Sequence, residues 1–470
     1  MMGKYRIFNI TPEVAPFVGS SANANISGTL PKVLKNLGHD IRVMMPKYGS
    51  VNERKYVLRD VIRLREMEIE IAGKKISVDA KSAFLPDSKV QVYFLDHPSF
   101  SERNGIYSEN GNKEYEDNIE RFVLFSRGCL KTLRSLHWQP DFILCNCWPS
   151  IFLPLILRNE LQNDDFFANT KLIFCDHNNS SSAKLELEDL TNVGLTTDEI
   201  QGKLTNEKMF DVHELASVTS DAIIYSLKQE NLNGTQDFEK FIAHGIDYQD
   251  WNPETDEKIN EKFSIDSFHL KSENKKTVCE DFDLEYDEHV PLVSVHFDDD
   301  EQGEFVPELV EKLKGINAQF IFLVDDAVQN VTDDKKELSD TIRVKVDPSP
   351  KVKHQVIAGS DFNIQLNGES GIVESRFLQY LKYGTLGIFP ESCIQSFKPE
   401  AIEILDELPF YGKLKGDLIE SLVGELERFV SAFKDQSKWQ QKAQKSMQVD
   451  FSLLKTGEQY TALFDTLSQK

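Results

Sequence analysis

Residues 4–50 constrain this chain more than any other stretch, because their apolar spacing reads as strand, loop, helix and strand in succession. Tyr5–Ile10 is a short apolar-rich run interrupted by Arg6 and Asn9. A loop rich in Pro, Gly, Ser and Asn follows. Ile26, Leu30, Val33, Leu34 and Leu37 then recur at helical spacing, and Gly38 can end that helix. Asp40–Met45 returns as a second strand. Such a unit sets a helix N-terminus, expected here near Asn25–Ser27, at the carboxyl edge of a parallel sheet. Nucleotides and phosphates bind at that edge in open α/β sheets.

The same alternation continues. Val61–Phe84 reads as a hairpin turning at Gly73-Lys74, Gln91–Asp96 as a strand and Asp117–Leu136 as a long helix. Phe142–Cys145 is a buried strand, followed by a helix led by Pro149. Lys171–Asp176 and Asp221–Ser226 are further strands. In the second half, strands are expected at Leu292–Phe297, Phe320–Val324, Ile342–Val346, Phe362–Leu366 and Leu386–Phe389, with helices at Pro307–Leu313 and Val373–Tyr383. Repeated β-α alternation predicts doubly wound parallel sheets. The last stretch, Gly416–Leu467, reads as three helices.

A chain of 470 residues holds two or three domains. Its net charge of −24, from 77 acidic and 53 basic residues, argues against a nucleic-acid partner and an anionic membrane surface. The densest acidic run is Asp298-Asp299-Asp300-Glu301. Six cysteines are scattered without a disulfide framework, so reduced thiols are expected. Cys145, Cys147, Cys175 and His177 stand at the ends of two strands, but not at a zinc spacing, and no metal is expected. No charged-then-apolar leader opens the chain. The longest apolar run, Ile151–Leu157, is too short to span a bilayer and contains Pro154. A cytoplasmic protein is the expectation.

Several segments together resemble one family. Glu13-Val14-Ala15-Pro16-Phe17, Gly28-Thr29-Leu30-Pro31-Lys32, Leu37-Gly38-His39-Asp40 and Met45-Pro46-Lys47-Tyr48-Gly49 are similar to the opening of bacterial glycogen synthases and plant starch synthases. The run from Asp117 through Gly128, the pair His177-Asn178, and Phe241–Asp247 followed by Trp251-Asn252-Pro253 extend the likeness. So do Ala358-Gly359-Ser360-Asp361-Phe362 and Tyr383-Gly384-Thr385-Leu386. The resemblance implies the GT-B architecture, two Rossmann-like domains facing across a cleft with C-terminal helices crossing back. It implies a starch-synthase-type, acceptor-side domain over 1–244, a hinge over 245–260 and a nucleotide-sugar domain over 261–440. A last helix, within 441–470, would pack back on the first domain. It also implies glucosyl transfer from ADP-glucose to a 1,4-α-glucan, with no metal and no cofactor beyond the nucleotide-sugar.

At the chemical centre the chain departs from the family. A lysine and paired glycines that face the donor phosphates are replaced within Gly19-Ser20-Ser21-Ala22. A histidine-aspartate-tryptophan motif reads Asn146-Cys147-Trp148. Asp298 stands where an arginine is expected and Gln302-Gly303 where a glutamine-lysine pair is expected, so both diphosphate cations are lost. The catalytic-face glutamate falls on Gly371, with Glu369 two residues before it and able to take its place after a local shift. His177, whose family counterpart contacts the sugar, and Glu369 are the catalytic candidates. Gly19, Ser20, Ser21, Asn146 and Asn178 are the substrate-binding candidates. Cations must meet the charge that develops on a leaving diphosphate, so the coordinated losses predict impaired or absent transfer and a glucan-binding or regulatory role. The expected partners are an α-glucan such as glycogen, a nucleotide-sugar, or a catalytic synthase. The alternatives are an active synthase with a rearranged donor site and a GT-B enzyme using another nucleotide-sugar.

Overall fold

The apolar runs that open each half become strands buried on both faces, as parallel strands covered by helices must be. A computed structural model describes residues 4–109, 113–177, 184–195, 208–226, 238–297, 306–324, 339–366, 370–390, 412–414 and 418–469. The chain divides into two compact units, Met1–His244 with Thr456–Lys470, and Gly245–Lys455.

The first unit is built on a ten-stranded sheet. Its elements are β1 (Arg6–Ile10), α1 (Ala22–Asn36), β2 (Asp40–Pro46), β3 (Arg59–Asp60), β4 (Met67–Ile71), β5 (Lys74–Phe84), β6 (Gln91–Asp96), α2 (Asn118–Ser135), β7 (Phe142–Asn146), α3 (Phe152–Asn159), β8 (Lys171–Asp176), α4 (Val212–Thr219), β9 (Ala222–Tyr225) and β10 (Glu239–Phe241). The strand order is β10-β9-β8-β7-β1-β2-β6-β5-β3, with β4 also on β5. All pairings from β10 to β6 are parallel, while β5 runs antiparallel to β6, β3 and β4. The order reverses at β1, whose neighbours β2 and β7 lie on opposite sides. This is the switch point where doubly wound sheets hold ligands.

Helix α1 begins at Ala22, three residues before the N-terminus expected from its apolar spacing, because Ser21 caps it. Polar residues Asn23 and Asn25 fill the first turn and hid it from the apolar pattern. Gly28 lies where the helix crosses the Ala15 backbone. A Cβ there would stand 2.3 Å from the Ala15 carbonyl oxygen. The segment after β7 also differs from expectation. Pro149 opens only a single 3-10 turn, Trp148–Ser150, and the α-helix starts at Phe152. Pro154 sits in its first turn, where a missing N–H leaves no helical bond unmade.

The second unit carries six parallel strands, β11 (Leu292–Phe297), β12 (Gln319–Val324), β13 (Ile342–Val346), β14 (Phe362–Gln365), β15 (Leu386–Pro390) and β16 (Gly412–Leu414). Their order, β13-β12-β11-β14-β15-β16, again reverses at the first strand. Its helices are α5 (Lys271–Asp281), α6 (Val306–Leu313), α7 (Pro350–Gly359), α8 (Ser370–Lys382), α9 (Leu418–Phe433) and α10 (Gln436–Met447). The segment after Gly245 is tied into this unit by a buried knot. His354 Nδ1 and the Tyr383 hydroxyl reach one Asp256 oxygen at 2.7 and 2.6 Å, and Trp251 stacks on the His354 ring at 3.7 Å.

The last helix, α11 (Leu453–Ser468), belongs to the first unit from Thr456 onward. Tyr460, Leu463, Phe464 and Leu467 join the core of that unit. Tyr5 donates its hydroxyl to Asp465 at 2.7 Å, and His39 Nε2 meets the Thr461 hydroxyl at 3.0 Å. Phe464 packs on Phe142 at 4.6 Å between ring centres. No helix among the described residues is long and apolar enough to cross a membrane.

The Gly28 contact gives a direct check. Gly28→Ala forces a methyl into a backbone oxygen and is expected to cost about 1–3 kcal/mol. Chemical denaturation should show the loss as a lower midpoint with an unchanged slope; wild-type stability in the variant would contradict the close crossing.

Candidate functional site

Four adjacent strands of the first unit deliver polar residues to one edge. Asn9 lies near the end of β1, Asn146 ends β7, His177 follows β8 and Ser226 follows β9. All four are buried. They form a hydrogen-bonded chain across the sheet edge. Asn146 Nδ2 donates to Ile10 O at 2.7 Å and to Asn9 Oδ1 at 2.9 Å. With the amide nitrogen so used, Asn146 Oδ1 is the acceptor for His177 Nε2 at 2.8 Å. That fixes the tautomer, and Nδ1 of His177 accepts from the Ser226 hydroxyl at 2.6 Å. Burial pushes His177 down to about 4, so the ring is neutral at pH 7. His177 is therefore neither a solvent-facing loop histidine nor satisfied by backbone. Its two ring nitrogens are held by side chains of neighbouring strands.

A second cluster lies around Glu13, which is buried. Ser21 accepts from Ala24 N at 3.1 Å as the cap of α1, and its hydroxyl donates to Glu13 Oε1. Asn23 Nδ2 reaches the same carboxylate oxygen at 3.3 Å and Thr11 Oγ1 at 3.2 Å. Ser27 donates to Thr11 at 3.1 Å. Gly19 adopts φ +85, and a Cβ there would lie 2.2 Å from Glu13 Oε2. Gly19, Ser20 and Ser21 thus form a turn closed on an internal carboxylate. An anion at a helix N-terminus is stabilised by the unpaired N–H groups and the dipole. Here the protein supplies that anion itself.

Between the clusters stands Cys147, at φ 60 and ψ 172, a backbone region that essentially only glycine occupies without strain. Its N–H donates to Cys175 O at 2.9 Å. Burial pushes the thiols of Cys145, Cys147 and Cys175 up, so all three stay protonated. With His177 committed on both nitrogens, these residues make no metal set, and no group of three or more potential ligands gathers among the described residues. Trp148 packs beside Tyr107 at 5.8 Å and Phe122 at 5.4 Å, giving the edge an aromatic wall.

Asn178 and Glu369 lie outside the described residues, as do Asp298, Gln302 and Gly303. Gly371 falls in the first turn of α8. Sequence reasoning missed Thr11, Glu13, Asn23 and Ser226 as site residues, and also the contact of His213 Nε2 with Asp176 Oδ2 at 3.0 Å. Only topology brings these together. Thr11 and Glu13 lie in the first loop, Asn23 in the first turn of α1, His213 in α4, and Asp176 and Ser226 at strand ends.

Comparison with known proteins gives the family and the fold. The family described as the starch synthase catalytic domain matches residues 6–229. The glycogen synthase of Pelodictyon phaeoclathratiforme is 30% identical over 485 residues, covering 98% of each chain. That of Chlorobaculum parvum is 30% identical, again over 98% of each. The chain belongs to the glycogen and starch synthase family. Among solved structures, the catalytic domain of starch synthase IV from Arabidopsis thaliana, bound to ADP and acarbose, superposes with a TM-score of 0.78 at 19% identity, each chain fully covered. A glycosyltransferase from Rickettsia africae gives 0.56 at 13% identity, over 99% of this chain and 98% of that one. The fold is that of the GT-B glycosyltransferases.

Two outcomes are expected of this family member. His177 sits at about 4 when folded and near 6.5 when unfolded, so the unfolded chain binds the extra proton between those values. Stability is level above about pH 6.5 and falls as the pH drops; at pH 5 this group alone removes about 2 kcal/mol. His244, pushed down by burial to about 3, adds a loss of the same sign, so urea unfolding at pH 7 and pH 5 is compared between wild type and His177→Asn; an equal loss in both would contradict the buried neutral ring. Ser21→Ala removes the cap and is expected to cost about 1 kcal/mol, read from the same urea midpoints; no shift would mean that the cap contributes nothing.

Proposed function

We propose that this chain is a glucan-binding member of its family in which glucosyl transfer from ADP-glucose is impaired or lost, and that it acts by holding glucan or by regulating a catalytic synthase. The observation that carries this reading is the closure of the first loop on Glu13. A lysine side chain at position 19 would have to enter the space of Glu13 Oε2. The helix N-terminus that could receive a phosphate is instead capped by Ser21 and faced by a carboxylate. A phosphate brought there would meet a buried acidic side chain and a capping hydroxyl where the resemblance expects a lysine. Asp298, standing where the resemblance expects an arginine, points the same way.

Glucan binding is supported differently. Sugars are held by aromatic faces flanked by polar groups, and Tyr107 and Trp148 adjoin the polar edge. The starch synthase IV structure holds acarbose, itself an oligosaccharide analogue. Membership in a family of glucan-acting proteins and the absence of a spanning helix among the described residues support a cytoplasmic location. A second reading, an active synthase with a rearranged donor site, draws on the polar residues that still converge at the switch point, His177 and Asn146 among them. There Asn146 and His177 would orient the sugar, and Glu369 would supply the missing carboxylate.

One assay separates the readings. The protein is incubated with ADP-glucose or UDP-glucose and glycogen, and nucleotide release is followed together with co-sedimentation on glycogen. Co-sedimentation without nucleotide release is expected. Steady turnover that His177→Ala abolishes would overturn the proposal in favour of a rearranged active site.

A further inference from the structure

The edge of the first sheet at β3, four strands from β1, has a composition unlike the rest of the chain. Five large apolar side chains are exposed among the described residues, and three of them, Val57, Ile62 and Phe84, are 60%, 84% and 63% accessible on this edge. Antiparallel pairing of Arg59 with Ser82 and Asp60 with Lys81 brings the Val57 end of the β3 segment to the Phe84 end of β5. Ile62 stands on the 3-10 turn that follows β3. The other two exposed residues, Met209 and Leu454, lie elsewhere in the chain.

The same strip is basic in a protein of net charge −24. Between positions 53 and 66 stand Arg54, Lys55, Arg59, Arg63 and Arg65 against Glu53, Asp60 and Glu66, and Glu53 is engaged by Lys47 and Lys81. All five cations are exposed. Arg65 pairs with Asp60 at 2.7 Å, while Arg54, Arg59 and Arg63 form no ion pair among the described residues. At physiological salt, charges beyond about 8 Å are largely screened. An approaching group therefore meets the local positive field and not the distant acidic surface.

Exposed apolar groups rimmed by uncompensated cations mark an interaction site. We propose that the β3 edge docks an acidic protein segment with interspersed apolar side chains, whose carboxylates pair with Arg54, Arg59 and Arg63 while its apolar groups cover Val57, Ile62 and Phe84. Charge decides the occupant. A second copy docking through a two-fold axis would set this basic edge against itself, which like-charge contact disfavours. An anionic bilayer presents an extended negative plane that would also face the acidic remainder of the molecule. Edge strand β3 has only two residues, so the contact is made by side chains and not by strand addition.

The test uses the full-length protein and a fluorescent peptide with the repeat Glu-Leu-Glu-Val, with a Lys-Leu-Lys-Val peptide as control, read by anisotropy at 0.15 M salt. Saturable binding of the acidic peptide alone is expected. Arg59→Glu with Arg63→Glu should weaken it at least tenfold, as should Ile62→Ser with Phe84→Ser, with thermal midpoints unchanged because these side chains are exposed. If a midpoint falls, Arg59→Gln with Arg63→Gln serves instead. No peptide binding, or binding indifferent to both pairs of substitutions, overturns the proposal. Co-sedimentation with phosphatidylserine vesicles in place of peptide binding, or a concentration-dependent mass that the same substitutions abolish, overturns it in favour of a membrane or a second copy.

Discussion

Parallel strands cannot be joined by tight turns, so each must pass its chain to a helix or long loop at the same edge. In the first unit this constraint sends β1, β7, β8 and β9 to one line and leaves their last polar residues side by side. Those residues are buried and must find partners among themselves. The chain from Asn9 through Asn146 and His177 to Ser226 is that solution. It also sets the chemistry available there. Burial lowers the imidazole's pKa more than the neighbouring Asp176 raises it, and the neutral amide adds no charge, so the ring stays uncharged.

Glu13 imposes the complementary constraint. One buried carboxylate takes up Ser21 and Asn23, while Gly19 leaves it room by lacking a side chain. A lysine in that loop would bring a cation toward an incoming anion. A glycine turned against a carboxylate brings none. The replacement is thus coupled to its surroundings, since the turn at Gly19, the cap at Ser21 and the position of Glu13 all change together if any one does.

Much of the fold was legible because it rests on local signals. The apolar runs at Tyr5–Ile10 and Leu292–Phe297 carry strand periodicity, and the order of alternating elements carries topology. The start of α1 was less legible, since a cap followed by Asn23 and Asn25 carries no apolar rhythm. The site was legible only in part. His177 and Asn146 stand out by residue type, but their mutual contact spans 31 residues and depends on sheet order. Ser226 has no distinguishing neighbours in sequence, and its role exists only once β8 and β9 are set side by side.

The last helix carries a consequence for how the molecule is made. Tyr5, His39 and Phe142 find their partners in Asp465, Thr461 and Phe464, so the core of the first unit is closed by the end of the chain. At about 5–20 residues per second, synthesis needs roughly 10–45 s to run from the end of the first segment to that helix. Through that interval the first sheet waits on the ribosome with apolar surface uncovered, while the whole second unit is being made. Order of synthesis and order of completion are therefore inverted: the unit begun first is finished last.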